Sequence, residues 1–157
     1  MLTIKIKSFL FILIFSFQFY LSAQEIKSIK IADLEKIIDK KNDTLKVINF
    51  WASWCVPCIK ELPHFVKIAS EMKQKPIQFI FVAIEDTPEK ALNILKKKKI
   101  EINSFLLDED KANEWIDKID KNWDGTIPFT LIITPKNKRK IHQGELTEEE
   151  LKKIIIK

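Results

Sequence analysis

Along most of the chain the apolar residues fall into short periodic blocks. From Ile31 to Lys41 they recur at helical spacing, with Leu34, Ile37 and Ile38 among charged neighbours, and predict an amphipathic helix. Leu45 to Trp51 is a short apolar run expected to form a buried strand, and Ile77 to Ile84 a second, central one. Between them, Pro57 to Lys73 reads as a helix interrupted at Pro63. Pro88 opens another helix that runs to Lys98, proline being tolerated in a first turn where no N–H is needed. Phe105 to Leu107 is a candidate strand, and Lys111 to Lys121 a helix carrying Trp115, Ile116 and Ile119. Thr130 to Thr134, a turn at 135–138 and Arg139 to His142 predict an antiparallel hairpin. Thr147 to Ile156 closes the chain as a helix, with Thr147 as N-cap and Glu150 completing a capping box. Strands separated by helices must lie parallel, so the expected architecture is α/β, a mixed sheet flanked by helices on both faces.

The first 23 residues break this rhythm. Lys5 and Lys7 precede an apolar run from Phe9 to Leu21, interrupted only by Ser16 and Gln18, and Leu21-Ser22-Ala23 offers a small residue for cleavage. That pattern is a secretory signal peptide over 1–23, with Gln24 as the first mature residue and 24–157 as one domain. A spanning helix needs about 20 apolar residues, so an N-terminal membrane anchor is the alternative with less support. Export places the protein in the periplasm or an equivalent space.

Composition narrows the function. Losing Lys5 and Lys7 takes the net charge from +5 to +3, that is 25 bases against 22 acids, and the two signs are interspersed. Lys96 to Lys99 is one dense basic run, read as the solvated end of a helix, and no basic surface interleaved with aromatics suggests nucleic-acid binding. No phosphate-binding glycine loop, cofactor motif or Ser-His-Asp arrangement is visible, so no cofactor is expected.

The two cysteines of the chain, Cys55 and Cys58, lie together in Trp54-Cys55-Val56-Pro57-Cys58, where a strand passes into a helix. In an oxidising compartment a lone pair is most often structural. A bridge across two residues closes almost no loop, however, and stabilisation grows with the loop closed. Zinc would need four ligands, and two thiolates with the scattered His64 and His142 do not supply them. A dithiol that cycles with a disulfide is the remaining reading. The helix start adds a partial positive charge that favours the attacking thiolate.

The stretch Asn49-Phe50-Trp51-Ala52-Ser53-Trp54-Cys55-Val56-Pro57-Cys58, followed by Glu61 and Pro63, resembles the exported TlpA/ResA-like branch of the thioredoxin fold. Gly125-Thr126-Ile127-Pro128 matches the family's cis-proline segment, and Gly144 stands where the family has a glycine before the last helix. The resemblance covers 30–157 and departs at Glu101 to Asp124, which is longer than in a minimal thioredoxin. It implies an exported thiol-disulfide oxidoreductase, fed with electrons by a membrane thiol carrier and acting on disulfides of exported proteins. A dedicated reductant of apocytochrome c, or a non-catalytic docking or chaperone module, are the alternatives. A monomer is expected.

Within that frame Cys55, nearest the exposed helix start, is the expected nucleophile and Cys58, almost a turn further in, the resolving thiol. Val56 and Pro57 tune the pair; proline offers no N–H to the thiolate, which favours a reductant over an oxidant. Glu61 lies about 60° round the helix from Cys58 and roughly 4.5 Å along it. Spacing alone leaves it open between a solvated helix residue and a proton-exchanging group, and the resemblance assigns it to the active site. Classical thioredoxins carry a buried aspartate at the position of Asn49, which cannot titrate and is expected to pack and hydrogen-bond. The resemblance also implies a cis bond before Pro128, turning the Ile127 backbone toward an extended substrate. Trp51 is expected in the core, and Trp54, adjacent to Cys55, is a candidate for an apolar docking surface. His64 is half a turn out of phase with Cys55 and is excluded as a catalytic partner; His142 is expected at the surface.

Overall fold

The computed structural model describes residues 24–156; the leader expected over 1–23 lies outside the described residues. The elements are β1 (Ile26–Ile29), α1 (Ile31–Asp39), β2 (Leu45–Trp51), α2 (Val56–Glu71), β3 (Ile77–Ala83), α3 (Pro88–Lys98), β4 (Ser104–Leu107), α4 (Ala112–Ile119), β5 (Phe129–Ile133), β6 (Arg139–Gln143) and α5 (Glu148–Ile156). One sheet takes the order β1-β4-β3-β2-β5-β6. β1, β4, β3 and β2 run parallel to their neighbours, while β5 lies antiparallel to β2 and β6 antiparallel to β5.

Alternation along β2 builds the two cores. Val47 and Trp51 point into a cluster with Leu62, Phe65 and Ile68 of α2, Leu95 of α3 and Leu151 of α5. Ile48 and Phe50 point the other way, toward Leu34 and Ile38 of α1 and Trp115 and Ile119 of α4. Helices therefore cover both faces, as the periodicity requires. Lys46, charged and only 2% exposed, sits on the second face, where its ammonium donates to the carbonyls of Ile37 (2.8 Å) and Ile38 (2.9 Å) near the end of α1. It occupies the place of a C-terminal helix cap.

One strand was not anticipated and one expectation changes. β1 has no strong pattern of its own: its burial alternates poorly, and it is a strand because β4 pairs with all four of its residues. The helix expected to break at Pro63 runs unbroken from Val56 to Glu71. The missing Pro63 N–H removes one helical hydrogen bond, to the Ile59 carbonyl, but Pro63 is exposed and the buried stripe of Leu62, Phe65 and Ile68 holds the helix on the sheet. The long 101–124 stretch proves architectural. It supplies β4 and α4, and its Trp123 stacks on Phe129 at 4.3 Å between ring centres.

Candidate redox site

β2 runs into the core and ends at Trp51, whose indole N–H donates to the Ser104 hydroxyl at 3.1 Å. Four residues later Cys55 is the N-cap of α2, with Pro57 in the first turn. Cys55 and Cys58 are joined by a disulfide, with an S–S distance of 2.00 Å and Cα atoms 5.2 Å apart. The Cys58 N–H points at Cys55 Sγ from 3.3 Å, an orphan amide of the helix start aimed at sulfur. Cys55 is 5% exposed and Cys58 fully buried. The residues around them are open: Trp54 is 67% and Val56 76% exposed, among the few large apolar side chains presented to solvent, and Pro57 is exposed as well. Trp54 is thus exposed to solvent, whereas Trp51 is core.

Across from the disulfide, the Ile127–Pro128 peptide bond is cis. Cys55 Sγ lies 3.8 Å from the Ile127 carbonyl oxygen. The preceding turn needs Gly125, whose φ of +86° is in the left-handed region. Gly144, at φ +102°, lets the chain leave β6 with its N–H on the Pro128 carbonyl at 2.9 Å.

Glu61, three residues past Cys58 on α2, is completely buried. Its Oε1 accepts from the Asn49 side-chain amide at 2.8 Å and its Oε2 from the Leu146 N–H at 2.8 Å. Burial pushes its carboxyl up to about 7; the Leu146 N–H and the Asn49 amide pull the other way, and the nearby Glu145 adds a smaller upward push. The spacing that left Glu61 open is settled as a burial: it faces the sheet, not solvent. Asn49 also donates to the Thr130 hydroxyl at 3.1 Å, its register partner on β5, while its own Oδ1 is buried with no partner among the described residues. The packing role expected for Asn49 is thus joined by direct contact with Glu61.

His64 is drawn into the site's support rather than its chemistry. Its Nδ1 lies 3.1 Å from the Leu146 carbonyl oxygen. His142 is half-buried on β6. Sequence reasoning missed Thr130 and Leu146. Both act through placement: Thr130 faces Asn49 only because β5 pairs with β2, and Leu146 offers a backbone N–H, which no side-chain pattern advertises.

Buried dithiol, helix start, cis-proline loop and buried carboxylate on a mixed sheet define a thiol-disulfide oxidoreductase of thioredoxin fold. The chain belongs to the Redoxin family, whose profile matches residues 23–155. It is similar to the thiol-disulfide oxidoreductase ResA of Bacillus thuringiensis subsp. konkukian, 30% identical over 140 residues, which cover 85% of this chain and 76% of that one. Among solved structures, a thioredoxin-related protein from Neisseria meningitidis serogroup B superposes with a TM-score of 0.64 at 26% identity, covering 73% of this chain and 84% of that one. StoA from Bacillus subtilis gives a TM-score of 0.58 at 26% identity, with 74% and 84% covered. Family and cysteine pair together set aside the non-catalytic docking module.

Proposed function

We propose that the protein is exported, matures at Gln24 and reduces disulfides of other exported proteins as a monomer, drawing electrons from a membrane thiol carrier. The observation that carries the direction of electron flow is the scarcity of donors to Cys55 Sγ: the Cys58 N–H is its one backbone donor within the described residues, and Pro57 has none to add. A thiolate held by few donors is less stabilised, and a less stabilised reduced form gives up electrons more readily.

In the working cycle the Cys55 thiolate attacks one sulfur of the substrate disulfide, forming a mixed disulfide and releasing a substrate thiolate that takes a proton from water. Glu61, ionised, takes the proton of Cys58. The Cys58 thiolate then attacks Cys55 Sγ, forms the Cys55–Cys58 bond and expels the second substrate sulfur as a thiolate, which takes up the proton that Glu61 received from Cys58. Two electrons pass to the substrate in all. Trp54, Val56 and Pro57 supply exposed surface for docking, and the backbone at Ile127 and Pro128 lies beside Cys55 Sγ to pair with an extended substrate.

Equilibration against glutathione buffers tests the direction. A reductant should lie near about −270 mV, and a value above about −180 mV would assign the pair to oxidation or isomerisation instead. Proteins trapped on Cys55 of a Cys58→Ser variant in the native host identify the substrate and decide whether apocytochrome c is among them.

A further inference from the structure

Beside the dithiol lies a trough that shares Val56 with the docking surface above and otherwise has no part in that cycle. Ser53, Val56, Ile59, Pro63, Ile94 and Ile100, with Lys60 and Lys98, enclose a cavity of about 420 Å³ between α2 and α3. A second cavity of about 340 Å³ continues from it past Val66 to Glu101, sharing Pro63, Lys98 and Ile100 and adding Lys67 and Lys99. The two adjoin across Pro63, Lys98 and Ile100, the first reaching Val56, the neighbour of Cys55, and the second reaching Lys99 and Glu101. Their walls are apolar, and their charged rim is cationic apart from Glu101.

The rim cations are not equivalent. Lys60 is held by Glu145 at 2.7 Å and Lys67 by Glu148 at 2.8 Å. Lys98 and Lys99 make no ion pair among the described residues. A favourable interaction with the C-terminal carbonyls of α3 accounts for lysines in its last turn. It does not account for Lys98 lining both cavities, nor for Lys99, which lies past the helix at a φ of +55°. At the redox end, Glu85 accepts from the Ser53 N–H and Glu145 is paired with Lys60.

We propose that this trough seats the polypeptide flanking the disulfide of the substrate, and that it selects a segment with apolar side chains and acidic residues toward the Lys98-Lys99 corner. The inference rests on the reductase reading above. From Val56 to Val66 the helix advances about 15 Å, the length of about five residues of extended chain. Acids up to about five residues from the substrate cysteine therefore reach the free lysines, Lys98 along both cavities and Lys99 in the second, while the intervening apolar residues lie on Ile59, Pro63, Ile94 and Ile100.

The test separates binding from turnover. A redox-inert peptide, Ser in place of Cys followed by Leu-Ala-Leu-Glu-Glu, is titrated into the oxidised protein while methyl shifts of Val56, Ile94 and Ile100 are followed, and a matched peptide ending in Lys-Lys is the control. The expected result is saturation with the acidic peptide, about tenfold weaker binding after Lys98→Glu with Lys99→Glu, and a preference that shrinks in high salt. Equal binding of both peptides, or an unaltered preference in the double variant, overturns the proposal. So does movement of the same methyls with protein concentration alone, which would make the trough a contact between copies, or their prior perturbation by a retained 1–23 segment. Reduction of neutral hydroxyethyl disulfide, measured in parallel, should be unchanged in the double variant. Its absence in the parent would count against the reductase reading, leaving the binding result to decide the trough.

Discussion

Glu61→Gln isolates the cost of burying a carboxylate on α2. In the folded protein the group titrates at about 7, against an ordinary 4.5. At roughly 1.4 kcal/mol per pH unit, that difference is worth about 3 kcal/mol. Folding raises the affinity of this acid for its proton, so between pH 4.5 and 7 the native state holds more protons than the unfolded one. Stability must then fall as pH rises through that window and level off above it. Glutamine carries no charge and removes the penalty. Its amide NH₂ can face Asn49, whose unpartnered Oδ1 turns to accept from it, while its oxygen keeps the Leu146 N–H. Urea unfolding of the oxidised protein between pH 4.5 and 8.5 should therefore show parent and variant nearly alike at the acid end. At pH 8 the variant should be more stable by about 2–3 kcal/mol. The same variant should turn over about tenfold more slowly, because the acceptor for the Cys58 proton is gone. Stability curves that run parallel across the whole range would refute the reasoning, for they would mean that Glu61 is as well solvated folded as unfolded.

Cys55→Ser should abolish disulfide reduction, whereas Cys58→Ser should attack once and remain as a mixed disulfide; faster alkylation of Cys58 than of Cys55 in the reduced parent would reverse the assignment. Gly125→Ala should lower stability by about 1–2 kcal/mol, since the residue sits at φ +86° and the new methyl would meet Ile116 Cδ1 at 2.8 Å; an unchanged melting temperature would show that the turn can relax. N-terminal sequencing of the protein from its host should begin at Gln24, and a membrane-bound form beginning at Met1 would establish an anchor.

How far the sequence could be read depended on whether a feature was local. The hairpin of β5 and β6, the capping box at Thr147 and the cysteine pair at the start of α2 depend on neighbours in the chain, and each was legible from residue types and spacing. In the capping box the Thr147 N–H donates to Glu150 and the Glu150 N–H to the Thr147 hydroxyl. β1 was not legible, because four residues with one buried side chain become a strand only when β4 arrives beside them from more than seventy positions away. Pro63 misled for the converse reason: a local rule about proline lost to the burial of three apolar neighbours in a long-range core. Lys46 received no reading from the sequence beyond its place in a buried strand, and what keeps its charge there is long-range: the end of α1 lies over it with carbonyls that accept from its ammonium. For Glu61 the spacing allowed solvent or sheet, and only the strand carrying Asn49 decided.

One residue's backbone has a wider reach than its apolar side chain suggests. The Leu146 N–H is bound by Glu61 and its C=O by His64, so two side chains three positions apart on α2 hold the peptide links on either side of one residue. Two residues upstream, the Gly144 N–H holds the Pro128 carbonyl. The short connection from β6 to α5 is thus a shared hinge plate, with the carboxylate screwed to one end and the loop facing Cys55 to the other. Any lengthening of 144–146 would loosen both at once. Sequence change there should surface as altered chemistry at Cys58 and altered substrate grip at Ile127 together, never as one without the other.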